Sequence, residues 1–105
     1  FIDSFKNKQL GACWDIGHAR MATGSKFLDF PRILKSKIKE CHFSDYIKGK
    51  GDHHSLGSGE FDFKKIIKEL KKIKYNGLIV MEIIPKEAGE IEISRKFLEK
   101  AIKEA

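Results

Sequence analysis

Among the side chains of the 105-residue sequence that can bind a metal ion or move a proton, Asp15, His42 and Glu82 stand out because they close or interrupt apolar runs. Asp15 ends GACWD, His42 lies within IKECHFS, and Glu82 sits inside LIVMEII. A carboxylate at the end of an apolar strand is costly unless it is paired, so Asp15 and Glu82 each call for a cation, a hydrogen-bond network or a divalent metal. Two carboxylates and an imidazole form a plausible metal shell. Further imidazoles come from His18, three residues after Asp15, and from His53 and His54 in DHHSLG. Singly, each has an ordinary explanation: Asp15 can cap a loop, His18 can hydrogen-bond to backbone, and loop histidines often face solvent. Glu82, between Met81 and Ile83, is harder to satisfy as surface. The joint placement of three strand-end ligands and a histidine-bearing loop is what singles out a site.

Those residues must be positioned by secondary structure, and the apolar pattern says which. Residues 11–16 read as a buried strand closed by Gly17 and ending in a loop. Phe27, Leu28, Phe30, Ile33 and Leu34 fit a short amphipathic helix beginning near Asp29 or Phe30, with Pro31 in its first turn. Residues 38–44 read as a second strand, followed by the long polar loop YIKGKGDHHSLGSGE. Phe63, Ile66, Ile67, Leu70 and Ile73 share a helix face, with Asp62 as N-cap and lysines outward. After a turn at Tyr75, Asn76 and Gly77, LIVMEII reads as a parallel strand buried on both faces. Ile93, Phe97, Leu98, Ala101 and Ile102 mark a final amphipathic helix. Phe1, Ile2 and Phe5 would share one face at the end of a preceding helix.

The order β-α-β-α-β-α implies parallel strands joined by right-handed crossovers, hence an α/β sheet or a barrel segment. Sites in such folds form at the C-terminal ends of the strands, where Asp15, His42 and Glu82 fall. Strand periodicity puts Cys13 with Asp15 on one side, and Leu78 and Val80 with Glu82.

Length and composition bound the rest. The whole of 1–105 reads as one domain, and 41% hydrophobic with 34% charged residues describes a globular chain. No run approaches the roughly 20 apolar residues that span a bilayer, and the first residues do not resemble a signal peptide, so no membrane partner and a cytoplasmic location are expected. Cys13 and Cys41 lie in separate strands and are expected as reduced, buried thiols. The net charge of +6 arises from lysines spread along helices, as solvated helix faces require. It would equally suit a phosphorylated sugar or a nucleic-acid backbone, both polyanions.

At the level of ordered motifs the sequence resembles a family. WDIGHA, CHFSD, DHHSLGSGEFDF and IVMEI occur in the order and at about the spacing found in the last three strands of the xylose isomerase-like barrels, a superfamily of sugar and sugar-phosphate isomerases and epimerases that also contains endonuclease IV. The resemblance runs from about Gly11 to the C-terminal helix. It implies the C-terminal portion, about three βα units, of a TIM (β/α)8 barrel. Similarity to the isomerase and epimerase branch implies that Asp15, His42 and Glu82 hold one divalent ion, Mn2+, Mg2+, Co2+ or Zn2+, with a fourth ligand, a glutamate, from an earlier strand absent from this chain. Glu82 would also be the catalytic base that moves a proton through an enediol, and His18 and His53 would bind the sugar or sugar phosphate. Similarity to the endonuclease IV branch, a zinc-dependent nuclease at abasic DNA, would add His18, Asp52 and His53 as ligands. That family places an aspartate two residues before the loop histidine, where this chain has Gly51; a loop shifted by one residue would deliver Asp52 with His54 instead. A third reading is a barrel fragment that binds without catalysing. Three βα units leave open strand edges and an uncovered interior, which invites a homo-oligomer or the remaining barrel half as partner.

Overall fold

A computed structural model describes residues 11–105. Its centre is a three-stranded parallel sheet in the order β1 (Ala12–Asp15), β2 (Ile38–Phe43) and β5 (Leu78–Met81). The helix expected at Phe1, Ile2 and Phe5 lies outside the described residues.

The expected first strand is present, but it does not end in a loop. Helix α1 (Ile16–Thr23) starts directly after it, because the Asp15 side chain caps it: Oδ1 accepts the His18 backbone N–H at 3.0 Å. Gly24, at φ +64°, ends the helix in a conformation that costs glycine little. A 310 segment (Gly24–Asp29) then leads into α2 (Phe30–Leu34), which carries Pro31 in its first turn as the sequence requires. A second 310 turn (Lys35–Lys37) enters β2.

The polar stretch after β2 is partly structured rather than one long loop. β3 (Asp45–Ile47) and β4 (Gly51–His54) form an antiparallel hairpin, closed by the Lys50 N–H donating to the Ile47 carbonyl at 2.9 Å. Gly49 and Gly51, at φ +85° and +90°, supply the left-handed positions of that turn. The apolar alternation used to find strands is missing here, so periodicity could not show it.

Helix α3 (Phe63–Lys72) forms as expected, with Asp62 Oδ1 accepting the Lys65 N–H. The last helix, α4 (Glu90–Glu104), buries Ser94, Leu98 and Ala101, while Ile93, Phe97 and Ile102 remain substantially exposed. The buried stripe is therefore rotated from the most apolar one. Ser94 explains the choice: its Oγ accepts the buried Leu56 N–H at 3.1 Å.

The sheet has two unlike faces. Trp14, Cys41 and Phe43 are fully buried on one of them, beneath the helices. Trp14 stacks against Phe27, and Phe43 meets Phe63 with ring centroids 5.8 Å apart. Burying an aromatic of this size stabilises by roughly 1.5–3 kcal/mol. The opposite face carries Cys13, Asp15, Glu40, His42, Leu78 and Val80, brought together by register. Leu78 is 67% and Val80 37% exposed, while Ile79 and Met81 are half-buried against the core, so LIVM is covered on one face only, not buried on both as its apolar run implies. Likewise Cys41 is buried but Cys13 is exposed, because alternate residues of adjacent strands face opposite sides.

Candidate metal centre

Register builds the first group of candidate ligands. Asp15 is paired with His42 across β1 and β2, and His42 with Val80 across β2 and β5. Glu82 follows two residues later, and its backbone N–H continues the ladder to the Phe43 carbonyl at 2.8 Å. All three side chains stand at the C-terminal edge of the sheet, and their donor atoms lie within 4.8 Å of one another. His42 Nδ1 is in contact with a Glu82 carboxylate oxygen, and His42 Nε2 lies 2.8 Å from Glu40 Oε2. One imidazole is thus held between two carboxylates, which fixes its ring plane.

Asp52 and His53 of the hairpin form a second group with His18 of α1, also with donors within 4.8 Å. His18 links the groups, with Nδ1 3.1 Å from Asp15 Oδ2 and Nε2 3.3 Å from Asp52 Oδ2. Gly17 makes the approach possible: a Cβ there would stand 2.7 Å from Asp52 Cβ. His53 adopts φ +66°, an unfavourable region for a side-chain-bearing residue. Three hydrogen bonds hold it there. Its N–H donates to Ser44 Oγ at 3.2 Å, its carbonyl accepts from the Ile84 N–H at 2.9 Å, and its ring Nδ1 lies 2.9 Å from the Glu82 carbonyl. That last bond raises the His53 pKa; partial burial opposes it, and the nearby carboxylates of Asp52, Asp15 and Glu82 reinforce it.

A divalent cation fits the chemistry of these residues. Carboxylates converge from three strands, and their field is felt by Cys13, whose thiol pKa is pushed up first by desolvation and then by Glu40, Asp15 and Glu82. Asp52 Oδ2 is inaccessible to solvent and makes no hydrogen bond, although the His18 and His53 rings approach it at 3.3 and 3.5 Å. The approach is close but not aligned for a proton, so the oxygen keeps a free lone pair. An orphaned carboxylate oxygen between two imidazoles is what a cation would satisfy.

Every residue singled out in the sequence lies in or beside this edge. Asp52 is grouped with His18 and His53, not with His54, whose Nε2 is buried without a hydrogen bond. Glu40 and Asp45 were not singled out. Glu40 could have been found from its position two residues before His42, on the same strand face. Asp45 is fully buried and accepts the backbone N–H groups of Tyr46, Gly57, Gly59 and Phe61 at 2.9 to 3.2 Å, which folds the SLGSGE segment back onto β3. Its partners lie up to 16 residues away, and no local pattern marks them.

Known proteins are similar to this chain in family and fold. The family described as xylose isomerase-like TIM barrel matches residues 1–101. An uncharacterized protein of Methanocaldococcus jannaschii is 29% identical over 82 residues, covering 77% of this chain and 28% of that protein. Among solved structures, an L-ribulose 3-epimerase aligns over 98% of this chain and 39% of its own with a TM-score of 0.78, at 16% identity, a likeness of fold. A D-tagatose 3-epimerase-like protein aligns over 92% of this chain and 36% of its own, with a TM-score of 0.76 and 29% identity. The chain therefore spans well under half the length of these relatives, and its three parallel strands with their helices are a portion of such a barrel. Among the described residues, no helix is long and apolar enough to cross a membrane.

Proposed function

Because the chain belongs to the xylose isomerase-like TIM-barrel family, we propose that it contributes the C-terminal part of a metal-dependent sugar or sugar-phosphate isomerase or epimerase. The observation that carries this reading is the convergence of Asp15, His42 and Glu82 at the C-terminal edge of the sheet. These three would hold one divalent ion, Mn2+, Mg2+, Co2+ or Zn2+, together with a ligand from an earlier strand. Such an ion supplies polarisation of carbonyl and hydroxyl oxygens, which acidifies the adjacent C–H.

Glu82 is the base: a carboxylate held against the His42 ring takes a proton from one sugar carbon and returns it to a neighbouring carbon on the same face, whereas epimerisation at one carbon would take a second proton donor on the opposite face. His18 and His53 bind the hydroxyls of the substrate. Their rings lie edge to face with centroids 5.9 Å apart. The substrate class rests on the relatives, since the net charge of +6 would suit a phosphate without requiring one.

The test is metal analysis of wild type beside Glu82→Ala, with deuterium incorporation from D2O into ketopentoses and ketohexoses as readout of proton transfer. One ion per chain in wild type, lost with exchange in the variant, is expected. Unchanged exchange in the variant would remove Glu82 as the base.

A second reading has its own supporting observation. The His18, Asp52 and His53 group gives room for further ions, as an endonuclease IV-like zinc nuclease at abasic DNA requires. Two or three zinc ions per chain, with salt-sensitive DNA affinity, would favour it over the first.

A further inference from the structure

Beside the first group lies another convergence that neither reading uses. Cys13, Glu40 and His42 bring a thiol, a carboxylate and an imidazole within 4.8 Å. Register sets it: Cys13 is the partner of Glu40 across β1 and β2, and His42 stands two residues further along the same face. Cys13 is exposed and open to an incoming ion, whereas Cys41 is buried.

We propose that Cys13, Glu40 and Nε2 of His42 form a second metal site, selective for a thiophilic divalent ion such as Zn2+ or Cd2+, and that it competes with the Asp15 site for the one His42 ring. Selectivity follows from the donors. Thiolate with imidazole favours soft and borderline ions, while Asp15 and Glu82 offer oxygen alone. Binding replaces the S–H bond of Cys13 with an S–metal bond and releases that proton to solvent; nothing is oxidised or reduced.

Competition follows from the ring. A neutral imidazole has one free lone pair, and its other nitrogen keeps a proton. An ion on Nε2 leaves the proton on Nδ1, where the Glu82 carboxylate accepts it and closes that nitrogen to the first site. An ion on Nδ1 leaves the proton on Nε2, where Glu40 accepts it at 2.8 Å. Two carboxylates thus stand ready for the two tautomers. The competition rests on the metal role proposed above for Asp15, His42 and Glu82; the soft site does not.

The full chain is titrated with Cd2+, following thiolate-to-metal charge-transfer absorption, in wild type, Cys13→Ser, Glu40→Gln and Asp15→Asn, with circular dichroism to check folding. Asparagine retains the helix cap at position 15. A band saturating at one ion per chain is expected in wild type, absent in Cys13→Ser, at least tenfold weaker in affinity in Glu40→Gln, and retained in Asp15→Asn. Absence in wild type, or persistence in Cys13→Ser, overturns the site; loss in Asp15→Asn places the ion in the first site and overturns its independence. For the competition, Mn2+ bound to wild type, followed by electron paramagnetic resonance, is released by saturating Cd2+ but stays bound in Cys13→Ser. Simultaneous binding of both ions overturns it. If Mn2+ does not bind while the Cd2+ band forms, these three residues do not hold an ion without the ligand from an earlier strand, the competition is overturned and the soft site stands.

Discussion

His53 Nδ1 lies 2.9 Å from the carbonyl oxygen of Glu82, joining the hairpin to the end of the last sheet strand across 29 residues of sequence. The same histidine receives the Ile84 N–H on its own carbonyl, so the backbone around Glu82 is held from two directions. The carboxylate assigned as base is thereby positioned by a residue whose backbone is itself in an unfavourable region, at φ +66°.

That relationship separates two substitutions at one position. His53→Ala and His53→Gly both lose the ring hydrogen bond, a loss of about 1 kcal/mol. Only glycine relieves the left-handed backbone, so His53→Gly is expected to be more stable than His53→Ala by about 1 kcal/mol. Denaturant unfolding of the pair measures this, and an alanine variant as stable as the glycine one would show that φ is not under strain there.

Asp45 is expected to be among the most sensitive positions outside the metal groups. Replacing it with asparagine presents an NH2 group to backbone N–H donors and leaves some of them unpaired in a buried place. A loss of about 2–4 kcal/mol is expected, with faster proteolysis at residues 55–60. Unchanged proteolysis there would mean that the segment is held by other contacts.

Gly17 sits in a helix, where alanine is normally favoured by about 1 kcal/mol. Its Cβ would nevertheless meet Asp52 Cβ at 2.7 Å and Ser44 Oγ at 3.2 Å. Gly17→Ala is therefore expected to destabilise the fold and to move Asp52 away from His18, seen as changed histidine resonances by NMR. A stabilised variant with unmoved histidine signals would contradict that close approach.

Glu69 governs part of the acid response. Its side chain is 3% exposed and bonded to Lys72 Nζ at 2.8 Å and Arg32 Nε at 2.6 Å, which hold its pKa below the usual carboxylate range, Lys72 most strongly. A depressed folded pKa contributes stability that is fully present above the unfolded value of roughly 4.3 and lost as pH falls through the folded one. The fall in unfolding free energy below about pH 4 is expected to be shallower in Glu69→Gln, and an identical slope would dismiss the pair as a stabilising contact.

What the sequence determined by itself follows from local physics. Apolar runs and helical spacing were enough to locate β1, β2, β5, α3 and the Asp62 cap, because these depend on residues within one or two turns of each other. Strand periodicity was enough to put Asp15 with Cys13, and Glu82 with Leu78 and Val80. Tertiary structure decided the rest. Which stripe of α4 is buried depended on Leu56 needing an acceptor, and the hairpin is seated where Gly17 of α1 leaves room for Asp52 and Ser44, just after β2, accepts the His53 N–H. His53 stands beside Asp52 with a left-handed backbone angle, held by hydrogen bonds to residues nine and about thirty positions away. Such long-range bonds leave no periodic trace along the chain, since each is satisfied by a single donor or acceptor that any polar residue in the right place could supply.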